Sequence, residues 1–313
     1  MAPVVTREDV ELQTSDGTVL RGFVLRPEDA APYPVVVMSH GFGVVKEMAL
    51  PAYAQVLAEA GIAVLVYDHR NLGASDGWPR QEVDPWAQLS DARDVLTHAA
   101  ALDGADADRI GIWGTSYSGG HVVVLAATDR RVRAVVSQVP TVSGSVNASR
   151  RAPAATLDAM REQFAADRLA RLRGGAPATV PNAPDVTDED LAHDGDDLAG
   201  SALGNDLRAW LRATPPGDLT TLRNELTLRS HELYATYEPG RWVAQVSPTP
   251  LLVVCLDHDT VTPTDEVLRM YAEAREPKRL VLLPGGHCDA YGVQQAAAAE
   301  AARAFFVEHL VAT

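Results

Sequence analysis

Only two cysteines, Cys255 and Cys288, occur in the 313 residues. A disulfide scaffold and a multi-cysteine zinc site are both excluded, and two unpaired thiols are expected. No run is apolar over the length needed to cross a bilayer, and Met1 to Asp16 holds no stretch of signal-peptide length, so the expectation is a cytoplasmic protein with no membrane partner. Basic residues are outnumbered, 27 against 42 acidic ones, for a net charge of −15. Such a surface repels nucleic acid and anionic lipid; its ordinary role is solubility. No internal repeat is visible, and nothing implies a cofactor or a metal. What remains is a chain of globular composition, long enough for one large α/β domain with an insertion or for two domains. Its oligomeric state stays open, a homodimer included.

Apolar runs and turn signals set the order of elements. The strands Glu8–Thr14 and Val19–Arg26 flank Asp16-Gly17, a strong hairpin signal. Val35 to Met38 is a continuous apolar run of the kind covered on both faces. Helix then alternates with strand: helix Met48–Ala60, strand Ile62–Tyr67, helix Trp86–Ala101, strand Arg109–Trp113, helix Tyr117–Ala127 and strand Val132–Ser137. This alternation predicts a parallel sheet with helices on both faces. It breaks at Pro140. From Thr141 to Gln245 no apolar strand is expected, only helical stretches near Ala155–Leu172 and Thr220–Tyr234 around an acidic section, Gly174–Gly200. Strand Pro250–Leu256, helix Thr264–Ala274, strand Arg279–Leu283 and helix Gly292–Leu310 then resume the pattern. The expectation is an eight-stranded, mostly parallel sheet formed by residues 1–140 and 246–313, with a helical lid, 141–245, inserted after strand six.

The chemistry centres on Gly114-Thr115-Ser116-Tyr117-Ser118-Gly119-Gly120. A tight turn from strand to helix there pushes the Ser116 hydroxyl over the sheet, beside the free N–H groups of a helix start. In the G-x-S-x-G pattern of a nucleophile elbow the second glycine would stand at 118; here Ser118 does, with glycine at 119 and 120. For Ser118 a packing role beside those glycines is the expectation, with a hydroxyl turned into the pocket to contact substrate as the alternative. A serine hydroxyl needs a base, and the base needs a third group to hold its tautomer. His287, in Pro284-Gly285-Gly286-His287 after the last strand, is the base candidate; His98, His193, His231 and His309 fit surface or capping roles. The acid follows the strand before, in Asp257-His258-Asp259, where Asp259 is favoured and Asp257 is read as structural. Two N–H donors should meet the oxyanion: that of Tyr117, after the nucleophile, and one from Ser39-His40-Gly41-Phe42-Gly43, with Phe42 the best candidate and His40 fixing the loop.

The chain order Ser116, Asp259, His287, each after a strand of one sheet, is that of α/β-hydrolases. Asp68-His69-Arg70-Asn71-Leu72-Gly73-Ala74-Ser75-Asp76-Gly77 resembles a loop after strand four of many members, with Asn71 in place of a glycine. More narrowly, Gly-Thr-Ser-Tyr-Ser-Gly-Gly, Arg-Asn-Leu-Gly-Ala-Ser-Asp-Gly and Gly-Gly-His-Cys-Asp-Ala-Tyr resemble hydrolases akin to polyketide transferases and thioesterase-like hydrolases. The resemblance extends more distantly to the X-Pro dipeptidyl-peptidase and acyl-esterase families. It implies an α/β-hydrolase fold and acyl transfer through an acyl-serine.

An insertion after strand six would lie over the serine and shape its pocket. Its apolar residues include Phe164, Trp210, Leu226, Tyr234, Tyr237 and Trp242. Trp210, Tyr234 and Trp242 are carried forward as candidate substrate contacts, against the alternative that such residues pack the lid onto the core. Arg150 and Arg151 either meet an anionic group or merely solvate. The leading function is hydrolysis of a small-molecule carboxylic ester or thioester. Acyl transfer to an alcohol or amine is the alternative within the same chemistry, and a non-catalytic ligand receptor the alternative outside it.

Overall fold

A computed structural model of the protein describes residues 4–28, 31–183 and 219–312. Eight strands form the main sheet: β1 (Val5–Gln13), β2 (Val19–Pro27), β3 (Tyr33–Ser39), β4 (Ala63–Tyr67), β5 (Ala105–Thr115), β6 (Val132–Gln138), β9 (Leu251–Leu256) and β10 (Lys278–Leu283). Their order in space is β1-β2-β4-β3-β5-β6-β9-β10. β1 pairs antiparallel with β2, as the Asp-Gly turn requires, and β2 antiparallel with β4; every later pairing is parallel.

The central strands are buried along their whole length, because helices cover both faces. Alternate residues divide between two cores. Val35, Val37, Leu65, Ile112 and Val253 face α2 (Pro85–Ala100) and α3 (Tyr117–Thr128). Val36, Met38, Val66, Trp113 and Val254 face α1 (Leu50–Ala58) and α8 (Gln295–Phe306). Each such aliphatic side chain contributes roughly 1.5–3 kcal/mol by leaving water, so this period-two pattern holds the register that positions the loops.

Between β6 and β9 lie α4 (Gly144–Arg151), α5 (Ala154–Leu172), β7 (Thr179–Val180), β8 (Leu226–Thr227) and α6 (Leu228–Tyr234), followed by a 3-10 segment, Pro239–Gln245. Three sequence expectations need correction here. Residues 144–151 are helical, started by the Ser143 hydroxyl, which accepts from Val146 N–H at 3.1 Å. The helix expected over Thr220–Tyr234 begins only at Leu228. Its first part instead supplies β8, which pairs with β7 in a ribbon too short to leave a periodic trace in sequence. At the chain end, the helix expected from Gly292 starts at Gln295, and α7 (Thr264–Glu273) stands where a helix was expected.

Candidate active site

Ser116 is the single residue between β5 and α3, and it adopts φ 54° and ψ −116°. A non-glycine residue is strained there by about 1–3 kcal/mol, and the surroundings over-determine it. Its N–H donates to Gln138 O (2.9 Å), and its carbonyl accepts from Gly119 N–H (3.0 Å) and Thr141 N–H (2.8 Å). Gly114 is required by close approach, since a Cβ there would stand 2.2 Å from Ser118 O. Ser118 does not face the cleft. It is fully buried and its hydroxyl donates to His40 O (2.5 Å) while meeting His69 Nε2 at 2.9 Å. The hydroxyl in place of glycine thus ties the elbow to the loop after β3.

His287 lies beyond β10 with Nε2 3.0 Å from Ser116 Oγ and Nδ1 2.7 Å from Asp259 Oδ2. A carboxylate can only accept, so Nδ1 carries the proton and Nε2 keeps its lone pair toward the serine. The loop after β9 fixes Asp259: its Oδ1 accepts from Val261 N–H (2.8 Å) and Thr262 N–H (2.9 Å). The Thr262 hydroxyl lies 2.8 Å from Oδ2. Burial alone would raise the Asp259 carboxyl; attraction to His287 and the hydrogen bonds from His287 and Thr262 outweigh it and hold the group below its usual range. Asp257 instead accepts from Gly285 N–H (2.9 Å) and pairs with His258, joining the β9 and β10 loops.

Tyr117 opens α3, so its N–H has no acceptor within the helix. The backbone after β3 lies against Ser116, because a Cβ on Gly41 would be 3.8 Å from Ser116 Oγ. The Phe42 ring packs on Tyr117 and Tyr234, with centroids at 5.3 and 5.0 Å. His40 braces this loop through Nδ1 to Gly41 O (2.9 Å) and Nε2 accepting from His69 N–H (3.1 Å). Asp68, fully buried at the end of β4, accepts from Lys46 N–H and Lys46 Nζ, both at 2.8 Å, and from Ala74 N–H at 2.9 Å. Asn71 in the same stretch has φ 69°, a conformation asparagine tolerates far better than most residues, which is why it can stand in place of glycine.

A cleft opens over Ser116 and His287, with Val44, Met48 and Leu50 on its walls. The insertion supplies Thr141, Arg151, Asn182, Ala183, His231 and Tyr234. Of the three aromatic candidates for substrate contact, Tyr234 lines this cleft. Trp242 does not; it packs half-buried against the main core, as the insertion residues Leu226 and Tyr237 do when fully buried. Trp210 lies outside the described residues. His231, expected in a surface or capping role, stands in the cleft wall, as does Thr262, three residues beyond Asp259 and without a sequence signal of its own. No cluster of metal-ligating side chains occurs among the described residues, and none of their helices is long and apolar enough to cross a membrane. Cys255 and Cys288 are not joined by a disulfide.

Residues 16–289 match the model of the X-Pro dipeptidyl-peptidase (S15) family. The chain belongs to this family. Within reach of it by sequence are a thiohydrolase, aneE of Aspergillus aculeatus, 34% identical over 88% of this chain and 84% of that protein, and the quorum-quenching protein AidA of Acinetobacter baumannii, 33% identical over 83% and 81%. The crystal structure of the α/β-hydrolase GrgF from Penicillium superposes with a TM-score of 0.81 at 29% identity, covering 98% of this chain and 99% of that one; in sequence, the polyketide transferase grgF is 31% identical over 92% of both chains. The S15-family chain therefore has the α/β-hydrolase fold and is an enzyme of the hydrolase class acting on ester bonds.

Proposed function

We propose that the protein is a serine hydrolase cleaving a small-molecule carboxylic ester or thioester through an acyl-serine. The observation that carries this reading is the placement of His287 between Asp259 (2.7 Å) and Ser116 (3.0 Å). In it, Nε2 of His287 takes the Ser116 proton as Oγ attacks the carbonyl carbon, and Asp259 orients the ring and stabilises the imidazolium. The oxyanion meets the N–H groups of Tyr117 and Phe42. As the intermediate collapses, His287 returns the proton to the leaving alcohol or thiol; a water, deprotonated in turn by His287, then releases the acid. Residues 141–245 act as a lid whose Tyr234 and His231 wall the cleft. Fluorophosphonate labelling that marks Ser116, together with p-nitrophenyl ester turnover lost in Ser116→Ala, is the expected result. A folded protein showing neither would sink the reading.

Transfer of the acyl group to an alcohol or amine is a second reading, favoured by the relatives named polyketide transferase and acyltransferase. Product analysis with and without added nucleophiles separates the two. Hydrolysis indifferent to every acceptor counts against transfer.

A further inference from the structure

α4 ends in Arg150 and Arg151, and the two arginines have different surroundings. Arg150 forks onto Asp265 (2.6 and 2.7 Å) and reaches Glu266 (3.3 Å), so its charge is matched on α7. Arg151 turns to the serine cleft and donates to Val261 O, in the loop that carries Asp259. Among the described residues no carboxylate lies within ion-pair distance of it. In a chain of net charge −15, an arginine on the cleft wall with no acid beside it among the described residues is a local positive centre.

A second observation points to the same place. His231 lines the same cleft, and its Nε2 is buried without a hydrogen-bond partner among the described residues. Burial first, and then the charge of nearby Arg151, depress its pKa, so the ring is neutral at pH 7 and can carry its proton on Nε2 as a donor. An unpartnered buried donor is an unfavourable feature unless a ligand atom completes it. The cleft also has an apolar stretch of wall, with Met48 and Ala183 packed in one cluster beside Val44. The cleft thus offers an apolar wall for a chain and one cationic, donor-bearing corner.

We propose that Arg151 and His231 form a recognition site for an anionic group, so that the ester or thioester cleaved at Ser116 carries a carboxylate or phosphate as well as an apolar portion. This rests on the serine-hydrolase reading above. The guanidinium meets the anion by charge and by its remaining N–H groups, which suit a planar carboxylate or a phosphate face; the imidazole adds one hydrogen bond. Two sources supply such oxygens: a carboxylate at the far end of the acyl chain, or phosphates on a coenzyme A type leaving group.

Two substrate pairs distinguish them: p-nitrophenyl hydrogen glutarate against p-nitrophenyl valerate, and butyryl-coenzyme A against the butyryl thioester of N-acetylcysteamine. The quantity read is the ratio of kcat/KM, anionic over neutral, in the full-length protein. In Arg151→Met this ratio is expected to fall about tenfold in one pair, the worth of one charge-assisted hydrogen bond, chiefly through KM. Arg151→Lys should restore part of it, and His231→Phe should lower the same ratio severalfold. The pair that responds names the source. A ratio that stays within twofold of wild type in both pairs overturns the anion site. Turnover of the neutral valerate ester and its loss in Ser116→Ala test the hydrolase reading separately: no such turnover by folded protein removes both, whereas turnover with unchanged ratios removes only the anion site.

Discussion

Replacing Asp259 by asparagine tests the proposed triad with little disturbance of its scaffold. Oδ1 of Asp259 is met by two backbone donors, Val261 N–H at 2.8 Å and Thr262 N–H at 2.9 Å. An asparagine must therefore turn its oxygen to that side, which places the NH2 where Oδ2 stood, 2.7 Å from His287 Nδ1 and 2.8 Å from Thr262 Oγ1. Thr262 can accept from the amide and give its own proton to Val139 O, 2.9 Å away, so the polar groups of the loop remain paired. His287 has no such escape. Facing a donor, Nδ1 must be the bare nitrogen and Nε2 must carry the proton, so Nε2 cannot accept the Ser116 proton. The expected consequence is a drop in kcat on p-nitrophenyl acetate of about ten-thousandfold, roughly 5 kcal/mol on the barrier, with far-UV circular dichroism unchanged and labelling of Ser116 slowed in parallel. Asp257→Asn is the internal control, expected within about threefold of wild type because that carboxylate ties two loops and does not touch the ring. An Asp259→Asn protein that keeps more than a tenth of the activity, or an Asp257→Asn protein that loses most of it, refutes the assignment of the acid.

The remaining expectations concern the scaffold of the site. Lys46→Met leaves fully buried Asp68 with backbone donors but no cation, and should lower the urea-unfolding free energy by about 3 kcal/mol; a loss under 1 kcal/mol would show that the pair contributes no net stability. Gly114→Ala forces a methyl to 2.2 Å from Ser118 O and should cost about 1–3 kcal/mol in the same assay, with loss of elbow geometry read as slower fluorophosphonate labelling; unchanged labelling speaks against a tight elbow. Burial lowers the pKa of His40 and His69, as it does that of His231, and pushes His121 down to about 3, so these rings are neutral in the folded chain. Their folded values lie below the unfolded value of about 6.5, so the stability they confer is complete above that pH and is lost as the pH falls below it, at up to about 1.4 kcal/mol per pH unit for each. Denaturation midpoints should decline from pH 7 to pH 5, less steeply in His121→Gln, and a flat profile in wild type contradicts buried neutral histidines.

The sheet and the placement of Ser116, Asp259 and His287 on it were legible because they rest on local signals. Continuous apolar runs at Val35 to Met38 and Leu251 to Leu256 can only be strands covered twice, and a small-residue turn such as Gly114 to Gly120 has few conformations open to it. Asp259 was expected over Asp257 as a matter of reach, two further residues into a loop aimed back at the last strand, and it is Asp259 that lies 2.7 Å from His287. In the insertion, the break in pattern and the helix Ala154–Leu172 were legible, and little else. Its two-residue strands are too short for any period to register, and the fate of each aromatic there goes with neighbours far away in sequence: Tyr234 lines the cleft with the Phe42 ring tilted against it, while Tyr237, three residues on, is buried in the core with its hydroxyl 2.9 Å from His121 Nδ1. Helical spacing puts 234 and 237 on nearby faces and cannot separate those outcomes. The same limit hid His231, expected from sequence in a surface or capping role and brought by the fold into the cleft wall with Arg151. The sequence offered Arg150 and Arg151 alike for an anion, and only the fold separates them by pairing Arg150 with α7 and turning Arg151 to the cleft, so variants at 151 and 231 can report on substrate where the elbow itself reports only on reaction class.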